Sequence, residues 1–361
     1  MKIKKSWCLF FKDFKGLRFD LIDFLMKCKE FSFLVLIFFI SVFRNGLGIH
    51  GATKDLLFQE SRRPFDLSEY SSSPLILLLR ILVKGNYNYW IALHLIIIFL
   101  VIFSFVYFAR KLLNHNSYRI SVLLFSLSPL VSVMFKTIGY YDPLIYLAII
   151  FGTLTKKKTA AIFSGLLFAT SHSQAAAVSS VGLYFMLKYG PFRRYLCREN
   201  SIFFAKISFF SGLFVSFMSL FFWRSERYTL IKGGLGDAIY SFFFSLPQHV
   251  YCTFGGLWIF IFMAIIPYLK NSNSLTEPTL LMLLAFSVQL ITNDGTRISL
   301  LITGSSIIIF IIMFSEKFYK TLLSIKFVLF LGFVTPAIIV QNIYINPSFR
   351  QIMIFIKGLI T

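Results

Sequence analysis

The carboxylates of this sequence are distributed in a way that could support catalysis. Four of the fifteen acidic residues occur in one polar interval, 44–88, between the first two apolar stretches: Asp55, Glu60, Asp66 and Glu69. A carboxylate can take the proton of an attacking hydroxyl and orient it, so this cluster could supply a general base. Asp55 is the leading candidate for that catalytic base, and Glu60 is its nearest substitute.

A further candidate carboxylate, Asp142, lies in the segment GYYDPLIYL at the start of an apolar stretch. Two interpretations of it remain open. An Asp-Pro pair opens a helix well, because the carboxylate can cap the amino end and proline fits the first turn. The same carboxylate could instead face an outward cavity as a catalytic group. Tyr140 and Tyr141 would then bind substrate, because their rings suit a sugar.

Basic residues near the carboxylates could bind a phosphate. Asp294 and Arg297 occur in TNDGTR at the start of a late apolar stretch. Asp294 could merely cap the next helix, but we favour a phosphate-binding role for this segment because Arg binds phosphate in a bidentate manner. Arg62 and Arg63 could contact the same phosphate or simply meet lipid headgroups, and both interpretations stay open.

Two histidines lie within apolar intervals. His172 occurs in SHSQ, where it could donate a hydrogen bond to substrate or form part of a polar hairpin turn. His94 stands in the middle of an apolar stretch, and we predict a packing role for it. The cysteines form no metal-binding pattern, so we predict no metal site from them.

The elements that carry these residues are predicted to be membrane helices. The chain has 361 residues, of which 57% are hydrophobic and 14% are charged, and its mean hydropathy is +0.76. Long apolar runs separated by short polar turns are not those of a soluble core. Backbone groups in lipid must be paired within the element, which favours helices. We therefore predict an all-α, polytopic transmembrane helical bundle that forms one domain, 1–361.

The formal net charge of +21 is explained by the topology of such a bundle. Lys and Arg collect in the cytoplasmic turns of membrane proteins, so we expect no nucleic-acid partner. The same rule predicts about eleven spans and a cytoplasmic amino terminus. The spans are expected near 31–43, 89–108, 120–135, 144–154, 202–223, 251–269, 278–292, 298–314 and 327–344, with two more in 159–187.

The interval 159–187 is predicted to break at 171–174 into two short helices. A single span there would leave the basic segment 188–198 outside, against the distribution of positive charge. Three polar segments complete the topology: 1–30 is cytoplasmic or interfacial, 44–88 is the first external loop, and 224–250 is the second. Within the first loop, 74–83 (PLILLLRILV) is too short to cross and is predicted to be a membrane-surface helix.

In architecture and in three short segments the sequence resembles the GT-C class of membrane glycosyltransferases and the related O-antigen polymerase (Wzy) group. Asp55 resembles the acidic residue that follows span one in that family, and YSSSPL (70–75) resembles its aromatic-Ser-Pro-Leu segment. GYYDPLIYL resembles the Gly-x-x-Asp at the start of the family's fourth span. The short broken pair after Lys158 also fits.

The resemblance implies an enzyme of the bacterial inner (cytoplasmic) membrane that works on surface polysaccharide at the periplasmic face. It would transfer a glycan from an undecaprenyl-(pyro)phosphate-linked donor, as an O-antigen polymerase does, with membrane lipid around it and a chain-length regulator as a compatible partner. The sequence indicates no particular cofactor, and a divalent cation, Mg²⁺ or Mn²⁺, is compatible with such a site. The alternatives are a periplasmic single-sugar transferase using a polyprenyl-phosphate sugar, a membrane O-acyltransferase, and a polysaccharide flippase or transporter.

Overall fold

The computed structural model describes residues 24–45, 73–84, 86–189, 193, 195–222 and 295–318. These residues form helices and no β-strand, which confirms the all-α class for the described part of the chain. The helices are α1 (Glu30–Asn45), α2 (Pro74–Leu82), α3 (Tyr87–Leu112), α4 (His115–Ser126), α5 (Pro129–Lys136), α6 (Asp142–Leu154), α7 (Lys158–Ser171), α8 (Ser173–Tyr189), α9 (Arg198–Phe222) and α10 (Gly295–Phe318).

Two of these helices are long and apolar enough to cross a membrane, namely α3 and the Arg198–Met218 part of α9. The α4–α5 pair is a third candidate if it is counted as one bent span. Helix α3 has 26 residues; at 1.5 Å per residue it is about 39 Å long, which exceeds the ~30 Å hydrocarbon core. The count of about eleven spans stays a prediction. Its members 251–269, 278–292 and 327–344 lie outside the described residues, as do 1–23 and the loop 224–250.

The surface of these helices is apolar and their interior contains hydroxyl groups. Large apolar side chains are exposed, among them Phe31, Phe39, Phe163, Phe210 and Phe214. Small polar side chains are buried, among them Ser121, Ser126, Ser128, Ser132 and Ser179. This is the arrangement of helices that pack in lipid, where small and hydroxyl residues allow close approach and hydrogen bonds between helices.

The predicted span 120–135 is a broken helix. Helix α4 ends at Ser126 and α5 begins at Pro129, and the two are bent by 47°. Proline has no backbone N–H to continue the helix and disfavours helical dihedrals in the residue before it, here Ser128. The predicted span 120–135 therefore corresponds to a bent helix pair, which is one span if the pair crosses together.

The predicted division of 159–187 is confirmed as two helices, α7 and α8, with His172 between them. Helix α9 packs along both. Lys158 lies over the ring of Phe203, 4.6 Å from its centroid, while the Oγ of Ser216 donates to the Oγ of Ser173 at 3.0 Å. Arg198 donates to the carbonyl of Leu187 at 2.8 Å. The chain therefore reverses direction at His172, with α7 parallel and α8 antiparallel to α9.

Alternating helix directions gather the helix ends into two groups. We call one the Asp142 end: it contains the carboxyl ends of α1, α5 and α7 and the amino ends of α3, α6, α8 and α10. We call the other the lysine end, which contains the exposed residues Arg110, Lys111, Lys156, Lys157, Lys158 and Lys188. At the lysine end Arg110 pairs with Glu30 at 2.6 Å, which joins the end of α3 to the start of α1.

Candidate functional site

A tight turn, 137–142, connects α5 to α6 at the Asp142 end. Gly139 has a φ of 94°, a left-handed conformation that costs other residues more than glycine. The backbone N–H of Tyr140 donates to the carbonyl of Thr137 at 3.1 Å. The indole of Trp90, in the first turn of α3, donates to the carbonyl of Gly139 at 2.8 Å. The turn is thus fixed both from within and by a neighbouring helix.

Asp142 is the first residue of α6, and its side chain is fully buried, at 0% exposed. The hydroxyl of Thr137 lies 3.2 Å from its Oδ2 and 2.7 Å from the carbonyl of Val133. One hydroxyl proton serves one acceptor at a time. The Thr137 hydroxyl therefore either alternates between the two oxygens, or donates to Val133 while accepting a hydrogen bond from a protonated Asp142 carboxyl.

The geometry around Asp142 bears on both of its sequence interpretations. Pro143 stands in the first turn as predicted, but the residue at the N-cap is Tyr141, which makes no side-chain capping bond. The carboxylate contacts the hydroxyl of Thr137. The Asp142 side chain is shielded from solvent, and its catalytic role stays a prediction.

His172 holds the reversal between α7 and α8. It is the C-cap of α7, and its ring Nδ1 accepts from the backbone N–H of Ala175 at 3.3 Å. Its carbonyl accepts from Ala176 at 2.9 Å, so His172 is also the N-cap of α8. Because Nδ1 accepts a hydrogen bond, we assign the proton of the neutral ring to Nε2. The histidine is therefore a structural cap with a donor nitrogen on its other side.

Aromatic contacts join the turn to His172. The rings of Tyr140 and Tyr141 lie 4.1 Å apart, and the ring of Tyr141 meets that of His172 edge-on at 5.3 Å. Both tyrosines are half-buried, whereas His172 is 8% exposed. The structure thus brings together four of the predicted site residues: Asp142, Tyr140 and Tyr141 from the turn before α6, and His172 from the reversal between α7 and α8.

The end of α1 adds polar groups that the sequence analysis missed. The hydroxyl of Ser132 donates to Oδ1 of Asn45 at 2.7 Å, and Arg44 donates to Ser132 at 3.4 Å. Ser132 is one helical turn before Lys136, at the end of α5 that leads into the 137–142 turn. The sequence signal for these groups is the polar pair Arg44–Asn45 directly after an apolar run. By itself this pair indicates only the end of a span.

Helix α10 begins at the same end of the bundle. Gly304 stands beside Tyr146 of α6, and the hydroxyl of Ser179 in α8 donates to the carbonyl of Ile302 at 3.0 Å. Because α10 runs parallel to α6 and α8, its first turn, which contains Arg297, belongs to the Asp142 end. The remaining predicted site residues lie outside the described part of the chain: Asp55, Glu60, Arg62, Arg63 and Asp294.

His94 lies in the same helix as Trp90 and is fully buried. Its Nδ1 donates to the Trp90 carbonyl at 2.8 Å, and the two rings are 4.4 Å apart. These contacts fit the packing role predicted for it. Among the described residues, no group of three or more His, Cys, Asp or Glu side chains could hold a metal ion.

The lysine end has a different construction. Tyr195 and Ser201 donate to the carbonyl of Thr153 at 3.2 and 2.7 Å, and Cys197 contacts the carbonyl of Leu154 at 3.4 Å. The turn before α9 thus satisfies the last carbonyls of α6. Burial raises the pKa of Tyr195 well above its usual 10.0 and also raises the pKa of the Cys197 thiol. These groups are neutral and serve packing.

Comparison of the chain with protein-family models, with curated proteins and with solved structures gives no match. The site is therefore interpreted from its own geometry.

Proposed function

We propose that this chain is an integral membrane glycosyltransferase of surface-polysaccharide assembly. In this proposal it transfers a glycan from an undecaprenyl-(pyro)phosphate-linked donor at the periplasmic face of the bacterial inner membrane, as an O-antigen polymerase. The observation that carries the proposal is a buried carboxylate, Asp142, grouped with His172 and two tyrosines at one end of a bundle with membrane-length helices.

The chemistry assigned to each group follows from its type. Asp142 takes the proton of the acceptor hydroxyl, and its low-dielectric surroundings strengthen its electrostatic interactions. The rings of Tyr140 and Tyr141 pack against a sugar, and the Nε2–H of His172 donates to a sugar or phosphate oxygen. Arg297 pairs with the donor phosphate as negative charge grows on it. Asp142 is fully buried, so the proposal requires that the acceptor hydroxyl gain access to it.

The other candidates have less support. A single-sugar transferase would use the same chemistry and differs only in product. A membrane O-acyltransferase would depend on an embedded histidine, but the ring of His94 is fully buried and bonded to Trp90. A flippase would place charges along a central cavity, whereas the buried carboxylate Asp142 lies at one end of the described helices.

The test is a deletion strain complemented with wild-type or variant protein. Loss of the protein should leave a single repeat unit on lipid A if it is a polymerase. Full-length chains that lack a branch indicate a single-sugar transferase, and chains that lack only acyl groups indicate an acyltransferase. Unchanged polysaccharide in the deletion strain would contradict all three.

Asp142→Asn then tests the site with Glu199→Gln as its matched control. Glu199 is exposed at the lysine end and undergoes the same change from carboxylate to amide. We expect Asp142→Asn to slow polymerisation by about 10²–10⁴-fold, the usual worth of a general base, and Glu199→Gln to leave it unchanged. Membrane levels of each variant are measured by immunoblot. Normal long-chain polysaccharide from a normally inserted Asp142→Asn protein would contradict the assignment of Asp142 as the general base.

A further inference from the structure

An apolar groove of about 380 Å³ lies between α8 and α9, away from the Asp142 site. Its lining is almost entirely apolar and includes Val181, Phe185, Phe209 and Phe210. Val181, Phe185 and Phe210 are exposed, so the groove opens on the outer surface of the helices. In a membrane, such a groove faces lipid. Its volume lies within the ~300–1,000 Å³ typical of small-molecule pockets.

One lysine lines this apolar groove. Lys206 is exposed on α9, inside the Arg198–Met218 stretch that is apolar enough to cross a membrane. A charged side chain at such a position is costly in hydrocarbon, so it reaches toward the interface or meets a counter-charge. Within the described residues no carboxylate forms an ion pair with Lys206. Its counter-charge should therefore come from outside the described helices.

A second lysine is held at the edge of the groove. The ammonium of Lys188 donates to the hydroxyl of Tyr184 at 3.1 Å, and Tyr184 lines the groove. The same ammonium lies 5.4 and 5.1 Å from the ring centroids of Tyr184 and Tyr189. These contacts fix a positive charge beside the groove at the lysine end. The groove thus combines an apolar channel with two cations.

We propose that this groove is a binding site for an anionic phospholipid. An acyl chain occupies the apolar channel, and the headgroup phosphate is bound by Lys188 and Lys206. Basic pockets between membrane helices bind anionic headgroups in this way. Under the predicted topology the lipid belongs to the cytoplasmic leaflet. The site is independent of the proposed transferase activity.

Native mass spectrometry of the full-length protein in detergent tests this proposal. The probes are long-chain phosphatidylglycerol, phosphatidylcholine of the same chain length, dihexanoyl phosphatidylglycerol and inorganic phosphate. We expect long-chain phosphatidylglycerol to bind most tightly. Lys188→Gln and Lys206→Gln should each weaken it about fivefold, and the double variant about twentyfold. Lys206→Arg should bind the lipid about as tightly as the wild type, because it keeps the positive charge.

Two further variants separate the groove from general surface charge. Val181→Trp fills the channel from its exposed side and should weaken long-chain lipid binding while leaving helical circular dichroism unchanged. Lys111→Gln removes an exposed lysine at the same end that lies over Tyr107, outside the groove, and should have no effect. Equal affinity for both headgroups, an equal loss in Lys111→Gln, or full competition by inorganic phosphate would each overturn the proposal.

Discussion

The two ends of the helical bundle differ in the sign of the charged groups that they bury and expose. At the Asp142 end a carboxylate and an imidazole are buried; Asp142 contacts Thr137, and His172 contacts the ring of Tyr141. At the lysine end the ammonium groups of Lys111, Lys157 and others are exposed. The buried groups there are the neutral Tyr195 and Cys197, and the guanidinium of Arg119, which donates to the carbonyls of Leu25 and Cys28 at 2.9 and 2.7 Å.

Helix α6 shows this difference within one element. It begins at Asp142, whose carboxyl group is shielded from solvent. It ends at Leu154, and the carbonyls of Thr153 and Leu154 accept from Tyr195 and Cys197 in the turn before α9. Burying a charge is costly unless partners repay it, whereas exposed lysines cost little. The buried carboxylate is therefore the better candidate for chemistry.

The largest stability effect is expected where α9 meets the start of α8. A Cβ added to Gly212 would lie 2.6 Å from the Ser173 carbonyl oxygen and 3.0 Å from the Ala177 nitrogen, both backbone atoms. Gly212→Ala should therefore destabilise the protein by about 1–3 kcal/mol. Because Ser173 follows His172, the change should also disturb the Asp142 end.

Gly304→Ala is the matched control, since its nearest neighbour would be a Leu130 methyl at an ordinary 3.4 Å. Alanine favours the helix over glycine by about 1 kcal/mol, so this variant should be neutral or more stable. Thermal unfolding in detergent, followed by circular dichroism, compares the two. Equal shifts in Tm would show that the close approach at Gly212 does not limit packing.

Two variants of His172 distinguish a capping role from a chemical role of its side chain. His172→Ala removes the side-chain acceptor for Ala175 and should cost about 1 kcal/mol of stability. His172→Asn keeps a good capping oxygen and should retain that stability. If the imidazole acts on substrate, both variants lose polysaccharide-forming activity. If His172→Asn is fully active, the histidine is a cap alone.

The smallest effect is expected at the lysine end. Tyr195→Phe removes the hydrogen bond to Thr153 and should lower the unfolding free energy by about 1 kcal/mol at neutral pH. The raised pKa of Tyr195 means that the folded state keeps a proton which the unfolded state loses near pH 10.0. Its contribution is present below pH 10.0 and is lost as pH rises through the raised folded-state pKa.

Chemical denaturation of wild type and Tyr195→Phe across this pH range measures the difference. We expect the variant to show a flatter fall in stability above pH 10.0 and normal activity at neutral pH. If Tyr195→Phe lost activity with little loss of stability, the lysine end would have a functional role beyond packing.

Several local features of the fold could be predicted from the sequence. The polar SHSQ segment marked the break between α7 and α8, and Asp-Pro marked the start of α6. Pro129 is an equally local signal for the break between α4 and α5, although it lies within an apolar run that favours one span. Asp142, Tyr140, Tyr141 and His172 could be named from residue type and their place beside turns.

What the sequence by itself determined is the all-α class and the residues able to do chemistry, because apolar runs and turn residues act through local backbone preferences. Only the tertiary structure decided that Asp142 is fully buried and that Tyr141 meets His172. It also decided that Trp90 and Asn45 support the site from distant helices. These contacts join residues far apart in the chain, and their geometry depends on how whole helices pack.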